Sequence, residues 1–133
     1  MLQCKDTPDN EFGTDDDIIP TQNQMHVPVN TPIVIQLASW DVIHSFYLPN
    51  FRVKQDAVPG MITPLWFQAK ETGEFDIACA QHCGPYHFKM KGKLTILEQA
   101  DYDAWAKEAQ INSERDYDDT DARAHWGWKW LEM

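Results

Sequence analysis

The sequence lacks any long apolar run. Apolar stretches such as Pro32 to Ile35 are interrupted within a few residues, whereas a helix that crosses a bilayer needs about 20 predominantly apolar residues. The first residues, Met1 to Lys5, also lack the basic start and apolar stretch of a secretory signal. We therefore expect a soluble domain, and any membrane anchor should lie outside this chain.

Basic residues are scarce. Eleven Lys and Arg residues stand against 21 Asp and Glu residues, which gives a formal net charge of -10. Nucleic acids and anionic lipids both attract a basic face, so we expect neither as a partner and favour a cationic one. Much of the acidic excess lies in residues 6–17 and 114–121, and such blocks of charge are usually solvated.

Cysteine is also scarce, and its count of three is odd. An odd count excludes a complete disulfide framework and leaves at least one thiol for another role. A chain of 133 residues can bury a hydrophobic core without a disulfide or a metal to hold it together. A metal bound here should therefore serve function rather than folding.

Short β-rich runs separated by Pro, Gly and Asn predict an all-β fold, an antiparallel Greek-key sandwich or barrel. One helix should follow, because four small or aromatic residues repeat with helical spacing and form one apolar face that should pack on the sandwich. The predicted strands are Met25 to Val29, Ile33 to Trp40, Val42 to Leu48, Ile62 to Ala69, Glu74 to Cys79 and Lys93 to Leu97, and the helix is Asp101 to Gln110 with Tyr102, Trp105, Ala106 and Ala109 on its apolar face.

These elements divide the chain into three parts. Residues 1–23 form an irregular acidic lead-in, residues 24–110 the folded domain and residues 111–133 a charged tail. The tail contains alternating tryptophans, Trp126, Trp128 and Trp130. They fit an edge strand, a docking element for another subunit or an added sequence, and the pattern does not choose among these.

The segment from Cys79 to Met90 concentrates metal ligands in a C-x3-C-x3-H-x2-M pattern between two predicted strands. Thiolate and thioether are soft ligands that select copper, and imidazole suits copper as well. Zinc takes Cys and His but not usually Met, and an iron-sulfur cluster normally needs four cysteines. A disulfide between Cys79 and Cys83 would be a metal-free oxidised form.

His44 supplies a second imidazole far upstream, as expected for a copper site built from neighbouring strands. One copper ion would use one cysteine, two histidines and a weak methionine, which leaves one cysteine surplus. Two copper ions bridged by both thiolates would use it. A mononuclear blue-copper carrier and a copper chaperone or thiol-disulfide protein remain alternatives, although the latter usually alternate strands with helices.

Three motifs in order carry a family resemblance: Asp41 to Phe46, Val53 to Gly60, and Cys79 to Met90. Across residues 24–110 the chain resembles subunit II of cytochrome c oxidases, whose soluble cupredoxin domain holds the binuclear CuA centre. The resemblance implies that two copper ions share both thiolates. It implies that Cys79 and Cys83 bridge both ions, that His44 and Met90 are further ligands of one ion, and that His87 and the backbone carbonyl of Gln81 are ligands of the other.

The resemblance also implies a function. As a subunit of a haem-copper oxidase, the chain would accept electrons from a small cationic carrier such as cytochrome c and pass them to the haem of the catalytic subunit. It would lie on the outer, periplasmic face of a respiratory membrane, and the isolated domain would turn over no substrate itself. Nitrous oxide reductase has a similar loop, but typically with Trp where Gln81 stands and with an added propeller domain.

Some positions depart from the family pattern. Many members have Glu at Gln81, where the side chain helps to hold magnesium, and an amide is a weaker ligand for that cation. Many members have Arg at the position of Met61, so we expect a contact with the rest of the oxidase to differ here. We expect His82 to be a surface residue and not a ligand, and Trp40 to pack in the core.

Overall fold

Short extended segments dominate the computed structural model, which describes residues 23–116. Tight turns join most of them, and 3-10 turns cover Pro49–Phe51 and His87–Lys89. The strands and the helix are β1 Gln24–Pro28, β2 Pro32–Leu37, β3 His44–Leu48, β4 Val53–Ala57, β5 Thr63–Gln68, β6 Gly73–Cys79, β7 Lys91–Leu97 and α1 Gln99–Asp116.

The strands form two sheets. One has the order β1-β7-β6-β3-β4, and β2 pairs with β5 in the other. Only the β1 and β7 pair is parallel among these ladders, and the others are antiparallel. The predicted all-β sandwich with one C-terminal helix is confirmed.

The core lies between the two sheets because alternate residues of each strand point inward. In β7, Leu94 and Ile96 are fully buried while Lys93 is exposed. Leu37 of β2 and Phe67 of β5 meet this layer from the second sheet. The other buried apolar residues are Met25, Val27, Phe46, Leu48, Ala57, Ala69 and Ile77.

Two predicted strands were too long, and one strand was missed. Strand β2 ends at Leu37 and β3 begins only at His44, so residues 38–43 form a loop. The missed strand, β4, alternates exposed polar and partly buried residues at the edge of its sheet. Apolar residues in this loop therefore led the prediction to extend both strands too far. The polar edge strand contained too few apolar residues to be recognised.

Helix α1 is longer than predicted at both ends, and it continues beyond residue 110 into the segment assigned to the charged tail. Its predicted apolar residues, from Tyr102 to Ala109, are half-buried, and the ring of Trp105 stacks on His26 of β1 with centroids 4.1 Å apart. Packing of this face on the sandwich is confirmed.

Within residues 23–116 no helix has both the length and the apolarity to cross a bilayer. The acidic lead-in up to residue 22 and the tryptophan-rich tail from residue 117 lie outside the described residues.

Trp105→Ala tests the docking of α1. We expect the free energy of unfolding to fall by about 1 to 3 kcal/mol, because the substitution removes the stacked ring that joins the helix to β1. Lys107→Ala is the matched control on the exposed side of the same helix and should change the free energy by less than about 0.5 kcal/mol. Urea denaturation measures both, and an unchanged transition in Trp105→Ala would contradict the proposed docking.

Candidate metal centre

Two antiparallel strands bring distant parts of the sequence to one end of the sandwich. Strand β3 begins at His44, strand β6 ends at Cys79, and Phe46 pairs with Cys79 in the ladder between them. Since antiparallel neighbours place the start of one strand beside the end of the other, the His44 imidazole lies over the loop that follows β6. The ligating atoms of His44, Cys79 and Cys83 all lie within 4.8 Å of one another.

The two cysteines form the middle of this cluster. Their sulfur atoms are 3.7 Å apart, well beyond the roughly 2.05 Å of a disulfide bond, and both are free thiols. The carbonyl oxygen of Gln81 lies 3.2 Å from the Cys79 sulfur, while the Gln81 residue as a whole is exposed. Gln81 therefore contributes to the cluster by its backbone, the part that the resemblance implied.

The other two predicted residues of the loop contact Cys83. Nδ1 of His87 is 3.4 Å from the Cys83 sulfur, and the Met90 sulfur is 3.1 Å from it. The structure thus brings all six predicted site residues together. Five of them lie within residues 79–90, so the loop itself accounts for most of these contacts.

The loop is closed by its own backbone. The Cys79 amide donates to the Met90 carbonyl at 3.2 Å, and the His87 amide donates to the Gly84 carbonyl at 3.1 Å. Gly84 has φ +135, a conformation that side chains with a Cβ rarely adopt. Glycine there lets the chain reverse between the second cysteine and the histidine.

His44 has the environment of a metal-binding imidazole. Its Nδ1 is buried without a hydrogen-bond partner among residues 23–116, while its Nε2 is 2.7 Å from Oδ1 of Asp41. Histidines that bind metals usually hold one nitrogen on the metal and the other on a carboxylate or carbonyl. The hydrogen bond with His44 lowers the pKa of Asp41 to about 2. The sequence analysis assigned no role to Asp41, which the structure places as the residue that orients His44. The signal in the sequence was a carboxylate three residues before the histidine.

The two thiols differ in their acidity. Burial pushes the pKa of Cys79 upward, but backbone hydrogen bonds at Ser45 and Gln81, with His44 and Cys83 nearby, outweigh it and lower that pKa to about 6. Burial and the neighbouring Cys79 raise the pKa of Cys83 instead. Near neutral pH the cluster therefore holds one thiolate and one thiol.

Large aromatic residues within and upstream of the site segments are exposed. Tyr86, Phe88 and Trp40 are 70%, 67% and 65% exposed, so the prediction that Trp40 packs in the core is wrong. The Lys89 ammonium lies 5.9 Å from the centre of the Tyr86 ring and 5.7 Å from that of Phe88. His82 is exposed too, with its ring 5.7 Å from that of His87. We keep the prediction that His82 is a surface residue of the centre rather than a ligand.

Comparison with known proteins agrees with this architecture. Residues 3–96 match the family described as the periplasmic domain of cytochrome c oxidase subunit II. Alternative cytochrome c oxidase subunit 2 of Bradyrhizobium diazoefficiens is 38% identical over 109 residues, which cover 77% of this chain and 39% of that protein. Cytochrome c oxidase subunit 2 of Cereibacter sphaeroides is 39% identical over 99 residues, 74% of this chain and 33% of that protein. The chain thus spans at most about two fifths of these relatives.

Solved structures are similar as well. The periplasmic domain of subunit II of cytochrome oxidase from Bradyrhizobium japonicum superposes with a TM-score of 0.65 at 38% identity, over 71% of this chain and 67% of that one. A mixed disulfide intermediate between a thioredoxin-like protein and subunit II of cytochrome c oxidase gives 0.60 at 36% identity, over 72% and 74% of the two chains.

Alkylation of the reduced, metal-free protein with iodoacetamide tests the difference between the thiols. At pH 7 we expect Cys79 to react first, because a pKa of about 6 leaves it mostly thiolate and the thiolate is the nucleophile. Its rate should fall as the pH drops through about 6, because the thiolate is lost there. Peptide mapping by mass spectrometry assigns the modified residue. In urea the two cysteines should react alike, and faster reaction of Cys83 in the folded protein would contradict the assignment.

Proposed function

We propose that this chain, which belongs to the family of cytochrome c oxidase subunit II periplasmic domains, holds a binuclear copper centre and conducts electrons through it. The observation that carries the proposal is the pair of free thiols 3.7 Å apart, surrounded by two imidazoles, a thioether and a carbonyl. Copper bound there supplies one-electron redox chemistry.

The donor set fits copper. Thiolates and a thioether are soft, and imidazole also suits copper, whereas zinc sites do not usually use methionine. Both cysteines would be shared, because their sulfurs face one another at the middle of the cluster. The proposed ligands are Cys79 and Cys83 as bridges, His44 and Met90 for one ion, and His87 with the Gln81 carbonyl for the other.

The protein holds this donor set ready. Asp41 fixes the ring of His44 through Nε2, and the buried Nδ1, which has no hydrogen-bond partner among the described residues, is left for a metal. The backbone bonds of the loop hold Cys79 beside Met90. Ligands that are already positioned need little rearrangement when the charge changes by one electron, and this favours fast transfer.

A mononuclear blue-copper site is the second candidate within electron transfer. It would use one cysteine and would leave the other thiol, 3.7 Å away, without a role. A copper chaperone or thiol-disulfide protein is disfavoured because strands follow one another throughout the domain, and α1 comes only after the last strand. A relative has been captured as a mixed disulfide with a thioredoxin-like protein. We propose that Cys79 and Cys83 must be reduced before copper binds, because metal ligation needs free thiolates.

Copper content and electron paramagnetic resonance test the binuclear centre. We expect two copper ions per chain and a hyperfine pattern of one electron shared by two nuclei, because both thiolates bridge. Cys79→Ser should lose the paired signal. His82→Gln is the matched control from the same loop and should keep it, because His82 is not a proposed ligand. One copper per chain with a single-nucleus pattern would exclude the proposal.

In the full-length subunit we propose a place on the outer, periplasmic face of a respiratory membrane, with anchors outside this chain. A small cationic carrier such as cytochrome c would donate electrons, and the haem of the catalytic haem-copper subunit would accept them. The support is the net charge of -10 together with the exposed apolar residues around the loop. Opposite charge steers encounter, and apolar contact stabilises the short-lived complex.

Salt dependence tests the cationic donor. We expect the bimolecular rate of reduction by a basic carrier to fall steeply as ionic strength rises, because the Debye length is only about 10 Å at 0.1 M salt. Stopped-flow absorbance of the copper-loaded domain measures the rate. An uncharged small reductant serves as the control and should show little salt dependence. A rate with the basic carrier that does not change with salt would contradict the prediction.

A further inference from the structure

Ser45 is a buried polar residue that the proposed copper chemistry does not use. It follows His44 on β3, and only 2% of its surface is exposed. Its hydroxyl donates to Oδ1 of Asp56 at 2.7 Å, and the two residues face each other in the β3 and β4 ladder. A buried hydroxyl needs a hydrogen-bond partner, and Asp56 on the edge strand supplies it.

The backbone of Ser45 contacts the metal loop. Its carbonyl accepts the Ala80 amide at 2.9 Å, and the Ser45 backbone is among the groups that lower the pKa of Cys79. Ser45 therefore holds Ala80, the residue after Cys79, through its main chain, and it favours the thiolate form of Cys79. Its side-chain hydroxyl donates to Asp56 on the neighbouring strand β4.

We propose that Asp56 and Ser45 form a positioning pair that fixes the backbone beneath the Cys79 sulfur and so sets the reduction potential of the centre. The proposal rests on the proposed function, because it concerns a sulfur that would bridge the copper ions. Hydrogen bonds to a ligating cysteine sulfur tune the potential of copper sites. Asp56 acts at a distance, through the hydroxyl of Ser45 and the strand that Ser45 belongs to.

The direction of the effect follows from the charge on the sulfur. A backbone group that stabilises the negative charge of the thiolate also favours the reduced, less positive centre. When the pair is broken, Ser45 can shift and this stabilisation weakens. The reduction potential should then fall.

The variants are Ser45→Ala, which removes the donor, and Asp56→Ala, which removes the acceptor. Asp56→Asn keeps an oxygen that can accept from the hydroxyl and should preserve the wild-type behaviour. Asp76→Ala is the matched control, because Asp76 is also an exposed carboxylate on a strand of the same sheet but binds Lys93 at 3.0 Å.

Hydrogen exchange in the metal-free protein is the first measurement, since it does not depend on copper. We expect the Ala80 amide to exchange about tenfold faster in Ser45→Ala and Asp56→Ala, the factor for the loss of roughly one hydrogen bond. Asp56→Asn and Asp76→Ala should match the wild type. Equal exchange in all variants, or an equal increase in Asp76→Ala, would overturn the positioning role.

The reduction potential of the copper-loaded protein is the second measurement. It should fall in Ser45→Ala and Asp56→Ala, stay near the wild-type value in Asp56→Asn and not move in Asp76→Ala. Faster exchange of Ala80 without any change in potential would overturn the tuning role. Copper stoichiometry is measured on the same samples, so a wild-type protein that binds one copper fails the proposed function while the exchange result still tests the pair.

Discussion

The pairing of β3 with β6 is the constraint on which the candidate centre depends. Phe46 lies opposite Cys79 in this ladder, and the next backbone bond, from Ala80 to Ser45, extends it by one step. His44 therefore lies directly beside the loop that carries both cysteines. The hydrophobic core enforces this register, because Phe46 and Ile77 are buried and a slip by one residue would turn them outward. Folding of the sandwich and assembly of the donor set are thus one event.

How much of the candidate centre could be predicted from the sequence depended on how far apart its residues lie along the chain. The contacts among Cys79, Cys83, His87 and Met90 arise within one loop, so their spacing and ligand chemistry were enough to group them. His44 could be proposed because a copper site needs an upstream imidazole, but its place beside the loop could not be derived, because a register between strands is set by packing over the whole domain. The Gln81 carbonyl entered only by family resemblance. The turn residues between short β-rich runs were enough to predict the all-β fold, but they did not locate the end of β2 or the start of β3. The apolar pattern of Trp40, Val42 and Ile43 predicted strand, yet these residues are exposed, because a hydrophobic pattern does not distinguish a buried residue from an exposed apolar one.

Polar partners were the hardest to predict. Asp41 and His44 are three residues apart, and their contact is local, but an Asp near a His is common without meaning. Ser45 and Asp56 belong to different strands, and β4 itself was not recognised because its polar residues do not resemble a strand. Their hydrogen bond exists because the ladder sets them face to face. The residues that orient the donor set thus emerge only after the register is known.

Charge and apolar surface are distributed differently over the domain. Strand β6 begins and β7 ends at the far side from the loop, where Glu74, Glu98 and Asp101 line one depression. Beside the loop, Asp41 is hydrogen-bonded to His44, and the Lys89 ammonium lies over exposed aromatic rings. In the proposed electron transfer, the net charge of the chain would act on a donor mainly at long range, where it would raise the encounter rate. At the loop, contact with Tyr86 and Phe88 would decide how long the donor stays, and a brief stay suits a carrier that must leave after giving one electron.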